Sequence, residues 1–278
     1  MAYRTLLNVA GIGQGDGDIN IALDLCEEIN AHLSLFLIGI AAPPPVGEYA
    51  VGLSDAWLEE REEDLSRLGE RAEALESILA RRGLSADLAS EYVEQAAADN
   101  AIGVRARYAD LAMVGPDTLS TVNLKRCIAD GVLFHAQRPL LLVPSAGKVS
   151  LRPRKILVGW NSSLEAARAV REAADMIAAA DDVRIVMVDP QSTDRANGPE
   201  PGADVAAFLA RHGARVTVDR LPSAGMPVAD LLKRHATDMA ADMIVVGAYG
   251  HTRLRERLFG GVTRSMLDSA PVPVFMAR

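Results

Sequence analysis

Ala109-Asp110-Leu111-Ala112-Met113-Val114-Gly115 recurs in the chain as Ala241-Asp242-Met243-Ile244-Val245-Val246-Gly247, with four of the seven positions identical. Each copy is a short apolar run closed by a glycine. Each is followed further on by a proline and a second apolar run, Pro139-Leu140-Leu141-Leu142-Val143 and Pro273-Val274-Phe275-Met276-Ala277. Each half also opens on a short apolar run behind polar residues, Arg4-Thr5-Leu6-Leu7-Asn8-Val9 and Arg154-Lys155-Ile156-Leu157-Val158. Self-similarity of this kind marks a duplicated unit. The 278 residues then divide into two copies of ordinary domain size, 1–147 and 148–278, with Pro144-Ser145-Ala146-Gly147-Lys148 as the linker.

Within the second copy, apolar runs at 155–160, 183–188, 214–219, 242–247 and 272–277 alternate with amphipathic stretches near 163–180, 201–212, 226–239 and 261–270. Val/Ile-rich runs without polar alternation are strands buried on both faces, hence a parallel sheet. Strands separated by helices give right-handed βαβ units. The first copy repeats the plan with strands near 5–10, 33–39, 84–91, 110–115 and 139–143. The fold class is therefore α/β, two tandem Rossmann-like domains. Each is a five-stranded parallel sheet in the order 3-2-1-4-5 with helices on both faces. The first copy has one long helix, about Ser54 to Arg82, with Leu58, Leu65, Leu68, Ala72, Leu75 and Leu79 on one face. Its acidic residues Glu59, Glu60, Glu62, Glu63 and Asp64 read as a solvated face or a partner site.

Composition narrows the function. Apolar residues make up 49% and charged residues 24%, a globular mix that excludes a disordered chain. No apolar run is long enough to span a bilayer, and the first residues lack the plan of a signal peptide. Cys26 and Cys127 stand far apart in helical patterns, as free thiols of a reducing cytoplasm, and no Cys/His spacing suggests a metal. A net charge of −8 argues against nucleic acid. The acid is concentrated in residues 1–150, with 12 basic and 22 acidic side chains, against 17 and 15 in the rest. An anionic ligand is better received by the second half.

That half carries the most informative segment. Gly247-Ala248-Tyr249-Gly250 is followed after nine residues by Gly260-Gly261-Val262-Thr263, where a helix begins. Glycines let a backbone approach a ligand closely, consecutive amides form an anion nest, and a helix start adds free N–H groups. Thr263 offers a hydroxyl, and Arg253, Arg255 and Arg257 add positive charge. The alternative is a surface loop whose glycines only make turns. In the strand order 3-2-1-4-5 the first and fourth strands meet where the order reverses, the place where such sheets take ligands. The loop Trp160-Asn161-Ser162-Ser163 after the first strand would then face the glycine loop. Asn161 serves either as a partner to a base or sugar, or as a helix cap.

The duplication, the β/α plan and the Gly-x2-Gly-x9-Gly signature resemble the universal stress proteins in their tandem two-domain form, over nearly the whole chain. The resemblance implies an adenine nucleotide alpha hydrolase-like fold and ATP, with or without Mg, cradled by Gly247, Gly250 and Gly260, with Trp160, Tyr249, Gly261, Val262 and Thr263 around it. Val188, at the end of the second strand, matches the residue lining the adenine pocket. Two positions depart from the family pattern: Asn161 stands where an Asp is typical, and Gly261 where Ser, Thr or Asn follows the last glycine. The resemblance further implies that the two copies pair through their last strands, and a homodimer of the whole chain is open.

The first copy departs further, since Pro116 follows Gly115 and has no N–H to give a phosphate. Its Gly11-x-Gly13-x-Gly15-x-Gly17 run lacks the dinucleotide spacing and reads as a permissive loop. Nucleotide binding is therefore expected in the second copy alone. His251 beside the glycine loop reads as a surface residue or a base; His32, His135, His212 and His235 read as structural or solvated. No nucleophile elbow or Walker motif is present, so no catalytic residue is assigned and any ATP hydrolysis is slow. The sequence supports a cytoplasmic stress-response protein that binds ATP and acts on a protein partner. The competing readings are an interaction scaffold with both pockets degenerate, and an enzyme acting on a phosphorylated metabolite.

Overall fold

A computed structural model describes residues 3–43, 55–145, 149–191, 200–249 and 261–278. The chain folds as two compact units, Tyr3–Ala136 and a second comprising Gln137–Arg278. Among the described residues no helix is long and apolar enough to cross a membrane.

The first unit contains β1 (Thr5–Gly11), α1 (Gly17–Ile29), β2 (His32–Ala41), α2 (Asp55–Arg82), β3 (Ala86–Glu94), α3 (Ala98–Ala106), β4 (Leu111–Val114), α4 (Pro116–Ser120) and α5 (Val122–Asp130). Its strands run in the order β3-β2-β1-β4, all parallel. The central strands are buried without alternation, as Leu6, Leu7, Leu33, Leu35, Leu37 and Leu111 are fully covered. Helix α2 matches the expected span, but only part of its apolar stripe is used: Leu68, Leu75 and Leu79 are buried, whereas Leu58 and Leu65 are exposed. The amino-terminal half of α2 is held instead by Arg61, which lies over the rings of Trp57 and Tyr92 and pairs with Glu94 at 2.9 Å. Glu59, Glu60, Glu62 and Glu63 are solvated.

The second unit contains β5 (Leu140–Leu142), β6 (Lys155–Gly159), α6 (Leu164–Glu172), α7 (Ala174–Ala179), β7 (Asp182–Val188), α8 (Ala203–Arg211), β8 (Val216–Leu221), α9 (Val228–Asp238), β9 (Met243–Gly247), α10 (Gly261–Asp268) and β10 (Val274–Ala277). The order is β5-β10-β9-β6-β7-β8. Counted from β6, the parallel part is 3-2-1-4-5, and the reversal lies between β6 and β9. The strand that ends the first repeat, β5, runs antiparallel to β10 with Val274 opposite Leu142, so this unit has six strands and the first unit four. The single helix expected over 163–180 is two, interrupted at Ala173 (φ −92°, ψ 5°).

The repeated heptad has a physical cause that is the same in both copies. The Asp110 carboxylate accepts hydrogen bonds from the N–H groups of Arg4 and Thr5 at 2.7 and 3.0 Å, at the start of β1. Asp242 accepts from Arg154 and Lys155 at 2.9 and 2.8 Å, at the start of β6. One carboxylate ahead of the fourth strand thus satisfies the amides that open the first. The closing glycines permit close approach. A Cβ on Gly247 would lie 2.5 Å from the Ala166 backbone nitrogen, and one on Gly115 would overlap the Asp18 carboxylate.

Candidate functional site

A cavity of about 770 Å³ opens in the second unit at the carboxyl ends of its strands. The reversal between β6 and β9 creates it, because the helices that follow these strands leave on opposite faces and the crevice between them stays open. Eight of the ten residues proposed from the sequence line it: Trp160 and Asn161 after β6, Val188 at the end of β7, Gly247 and Tyr249 at the end of β9, and Gly261, Val262 and Thr263 on α10. The other two, Gly250 and Gly260, lie outside the described residues, as do His251, Arg253, Arg255 and Arg257.

The β6 loop is held by its own hydrogen bonds. The Trp160 N–H donates to the Val186 carbonyl at 2.9 Å, carrying the β6–β7 pairing past the end of β6. The Trp160 indole N–H donates to the Ser162 hydroxyl at 3.1 Å, with Ser162 in the left-handed region at φ 60°. Ser163 caps α6, its hydroxyl accepting from the Ala166 N–H at 3.1 Å. Asn161 accepts from the Ser163 N–H at 3.2 Å, a short turn that precedes the cap. The cap is therefore Ser163, and the Asn161 NH2 makes no hydrogen bond among the described residues.

On the opposite wall, Thr263 is buried and its hydroxyl accepts from the Tyr249 N–H at 3.0 Å. This bond ties the exit of β9 to α10 across the two ends of the glycine loop, and Tyr249 takes a positive φ of 61° to make it. Among the described residues the Thr263 hydroxyl makes no further hydrogen bond. Helix α10 is fixed from behind by Lys233 on α9, whose ammonium donates to the Ser265 carbonyl (2.8 Å), the Ser265 hydroxyl (2.7 Å) and the Ser269 hydroxyl (3.1 Å). Burial lowers the Lys233 pKa below its ordinary value, and Asp230 and Asp268 act in the opposite sense. Among the described residues, a Cβ on Gly261 would meet nothing within 4 Å.

Val186, Val246 and Leu232 make the floor apolar, and Asp230 is the sole charged side chain among the described lining residues. Sequence reasoning missed Asp230, Lys233 and Ser265. Asp230 and Ser265 line the crevice from two different helices and Lys233 braces one helix against the other, and only the serine pair Ser265 and Ser269, one turn apart, hinted at a shared partner. The histidines with described surroundings lie elsewhere; His235 meets Asp219 at 2.9 Å and His32 meets Ser85 at 2.8 Å. Among the described residues no group of three or more side chains is arranged to hold a metal ion.

The equivalent place in the first unit is filled by the protein itself. The Asp18 carboxylate, 3% exposed, accepts from the N–H groups of Asp117 and Thr118, each at 2.9 Å, where α4 starts after β4. The Gly11–Gly17 run is a tight loop, with Gln14 accepting from the Gly11 N–H at 2.8 Å.

Residues 153–278 match the model of the Universal stress protein family. This repeat is similar to universal stress protein domains. No curated protein matches the chain in sequence. The crystal structure of a universal stress protein from Archaeoglobus fulgidus DSM 4304 is similar over 99% of this chain and 96% of its own, with a TM-score of 0.64 at 16% identity. A protein of unknown function from Pseudomonas aeruginosa PAO1 is similar over 99% of this chain and 92% of its own, with a TM-score of 0.57 at 17% identity. At these identities the likeness is one of fold. A tandem form of the universal stress fold fits a chain of 278 residues that is matched from end to end.

Proposed function

We propose that the chain binds an adenine nucleotide, ATP with or without Mg, in the universal stress domain of its second unit. The nucleotide state would bias a surface read by a protein partner in a cytoplasmic stress response. One observation carries this reading: residues from the ends of β6, β7 and β9 and from the first turn of α10 converge on one cavity. Its volume of about 770 Å³ suits a nucleotide, since small-molecule sites span about 300–1,000 Å³. The apolar floor suits a base, and the amides that begin α10 suit phosphates. The first unit takes no part in binding, because Asp18 already occupies the amides of α4. The bound nucleotide is a signal rather than a substrate, and any hydrolysis is slow.

Calorimetry with Mg-ATP and mass spectrometry of the purified protein test the reading. The expected result is one nucleotide per chain, lost when Gly247 is replaced by Val. Absence of both binding heat and co-purified adenine nucleotide refutes it.

A further inference from the structure

Asp230 is exposed, lines the cavity, and makes no ion pair or side-chain hydrogen bond among the described residues. It belongs to the first turn of α9, where a carboxylate favours the helix start. That role does not require it to face a cavity.

Its position along the crevice follows from the fold. Helix α9 connects β8 to β9 and so passes over β7 and β6. It touches down on β6: a Cβ placed on Gly159 would lie 3.2 Å from the Leu232 side chain and 2.9 Å from Val246. The first turn of α9 therefore stands at the carboxyl end of β6, with Val186 and Val188 of β7 on one side and Gly247 and α10 on the other. An anionic group is attracted to the α10 amides and repelled by a carboxylate; a flat apolar group fits the β7 side. What remains for the middle is a neutral segment that donates hydrogen bonds. Lys233 on the same helix gives its hydrogen bonds to Ser265 and Ser269, and among the described residues no cation forms an ion pair with Asp230.

We infer that the cavity selects a ribonucleotide, with the Asp230 carboxylate accepting hydrogen bonds from the ribose hydroxyls. The inference rests on the nucleotide reading above and adds the sugar to it. A carboxylate is an acceptor at both oxygens and matches a vicinal diol, whereas a deoxy sugar leaves it desolvated and unpaired.

The test is titration calorimetry of the full chain and of its Asp230→Ala variant with ATP and with 2′,3′-dideoxy-ATP. The wild type is expected to bind the dideoxy analogue about ten- to a hundredfold more weakly, the range for hydrogen bonds to a charged group. Asp230→Ala is expected to weaken ATP by a similar factor while leaving the analogue within about twofold. Equal affinity of the wild type for both ligands overturns the inference and leaves the nucleotide reading standing. So does an Asp230→Ala variant that weakens both ligands alike, since that is the behaviour of a helix-end residue. Failure of the wild type to bind either ligand overturns both readings. Should Asp230→Ala not fold, Asp230→Asn, which keeps the side-chain shape, takes its place.

Discussion

Gly247 and Gly261 belong to one glycine-rich signature, yet they should respond to the same substitution with opposite sign. A methyl group on Gly247 would lie 2.5 Å from the Ala166 nitrogen, 2.6 Å from the Glu165 carbonyl carbon and 3.0 Å from the Ala166 Cα. All three are backbone atoms at the capped start of α6, so no side chain can rotate away. The strand end or the helix must move. Overpacking of this kind costs about 1–3 kcal/mol. At roughly 4 °C per kcal/mol for a unit this size, Gly247→Ala should lower the melting temperature by about 4–12 °C. Gly261 has nothing within 4 Å of its would-be Cβ among the described residues and opens α10 without a positive φ. Alanine there removes backbone freedom from the unfolded chain and should be neutral or stabilising by up to about 0.5–1 kcal/mol. Thermal unfolding followed by circular dichroism and by calorimetry reads both variants. A Gly247→Ala melting temperature within about 2 °C of wild type, well below the smallest shift expected, would show that the contact between β9 and α6 is not tight. The account of the cavity wall would then fail.

Other substitutions test single contacts. Ser163→Ala removes the cap of α6 and should cost about 1 kcal/mol in denaturant unfolding, with Ser163→Thr close to neutral. Asp18→Ala leaves the buried amides at α4 without an acceptor, and a loss of about 1–3 kcal/mol is expected in urea titration; an unchanged midpoint would mean that water serves them equally well. Lys233 has a folded-state pKa below its unfolded value, so its charged form is disfavoured by folding. Its contribution to stability therefore grows as pH rises from the folded pKa to the unfolded value near 10.4, and is constant outside that window. The melting-temperature difference between wild type and Lys233→Met should widen between pH 7.5 and pH 10.5, ends chosen to be roughly on either side of it; a narrowing contradicts the assigned burial. Burial pushes the Cys26 thiol up to about 12 and raises Cys127. Neither should be alkylated by iodoacetamide at pH 8 in the folded protein, and both should be in urea, as read by intact mass.

How much of this was legible beforehand depends on the range of the interaction. The inner strands were visible because a strand buried on both faces is a run of apolar residues, a property local to its few positions; the edge strands β3 and β8 are only partly buried and more polar. The duplicated Asp was visible as a repeat, but its work was not, because its partners at Arg4 and Arg154 are brought to it only by pairing of the first and fourth strands. The stripe on α2 was overread: Leu58 and Leu65 obey the helical period, yet the period reports a face and not whether a neighbour covers it. The split at Ala173 was not read either, since an alanine-rich stretch carries no breaker.

From the sequence alone came the α/β class, the duplication, the position of the reversal and the residues of the strand-end loops, since each is encoded in a local pattern or in the order of such patterns. Tertiary structure decided which of these groups have lone pairs or hydrogens to spare. It gave the cap of α6 to Ser163 rather than Asn161, set Thr263 across the ends of the glycine loop, filled the first unit's amides with Asp18, and brought Asp230 to the cavity wall. A hydrogen bond depends on distances of a few ångströms between residues far apart in the chain, and no local pattern carries that information.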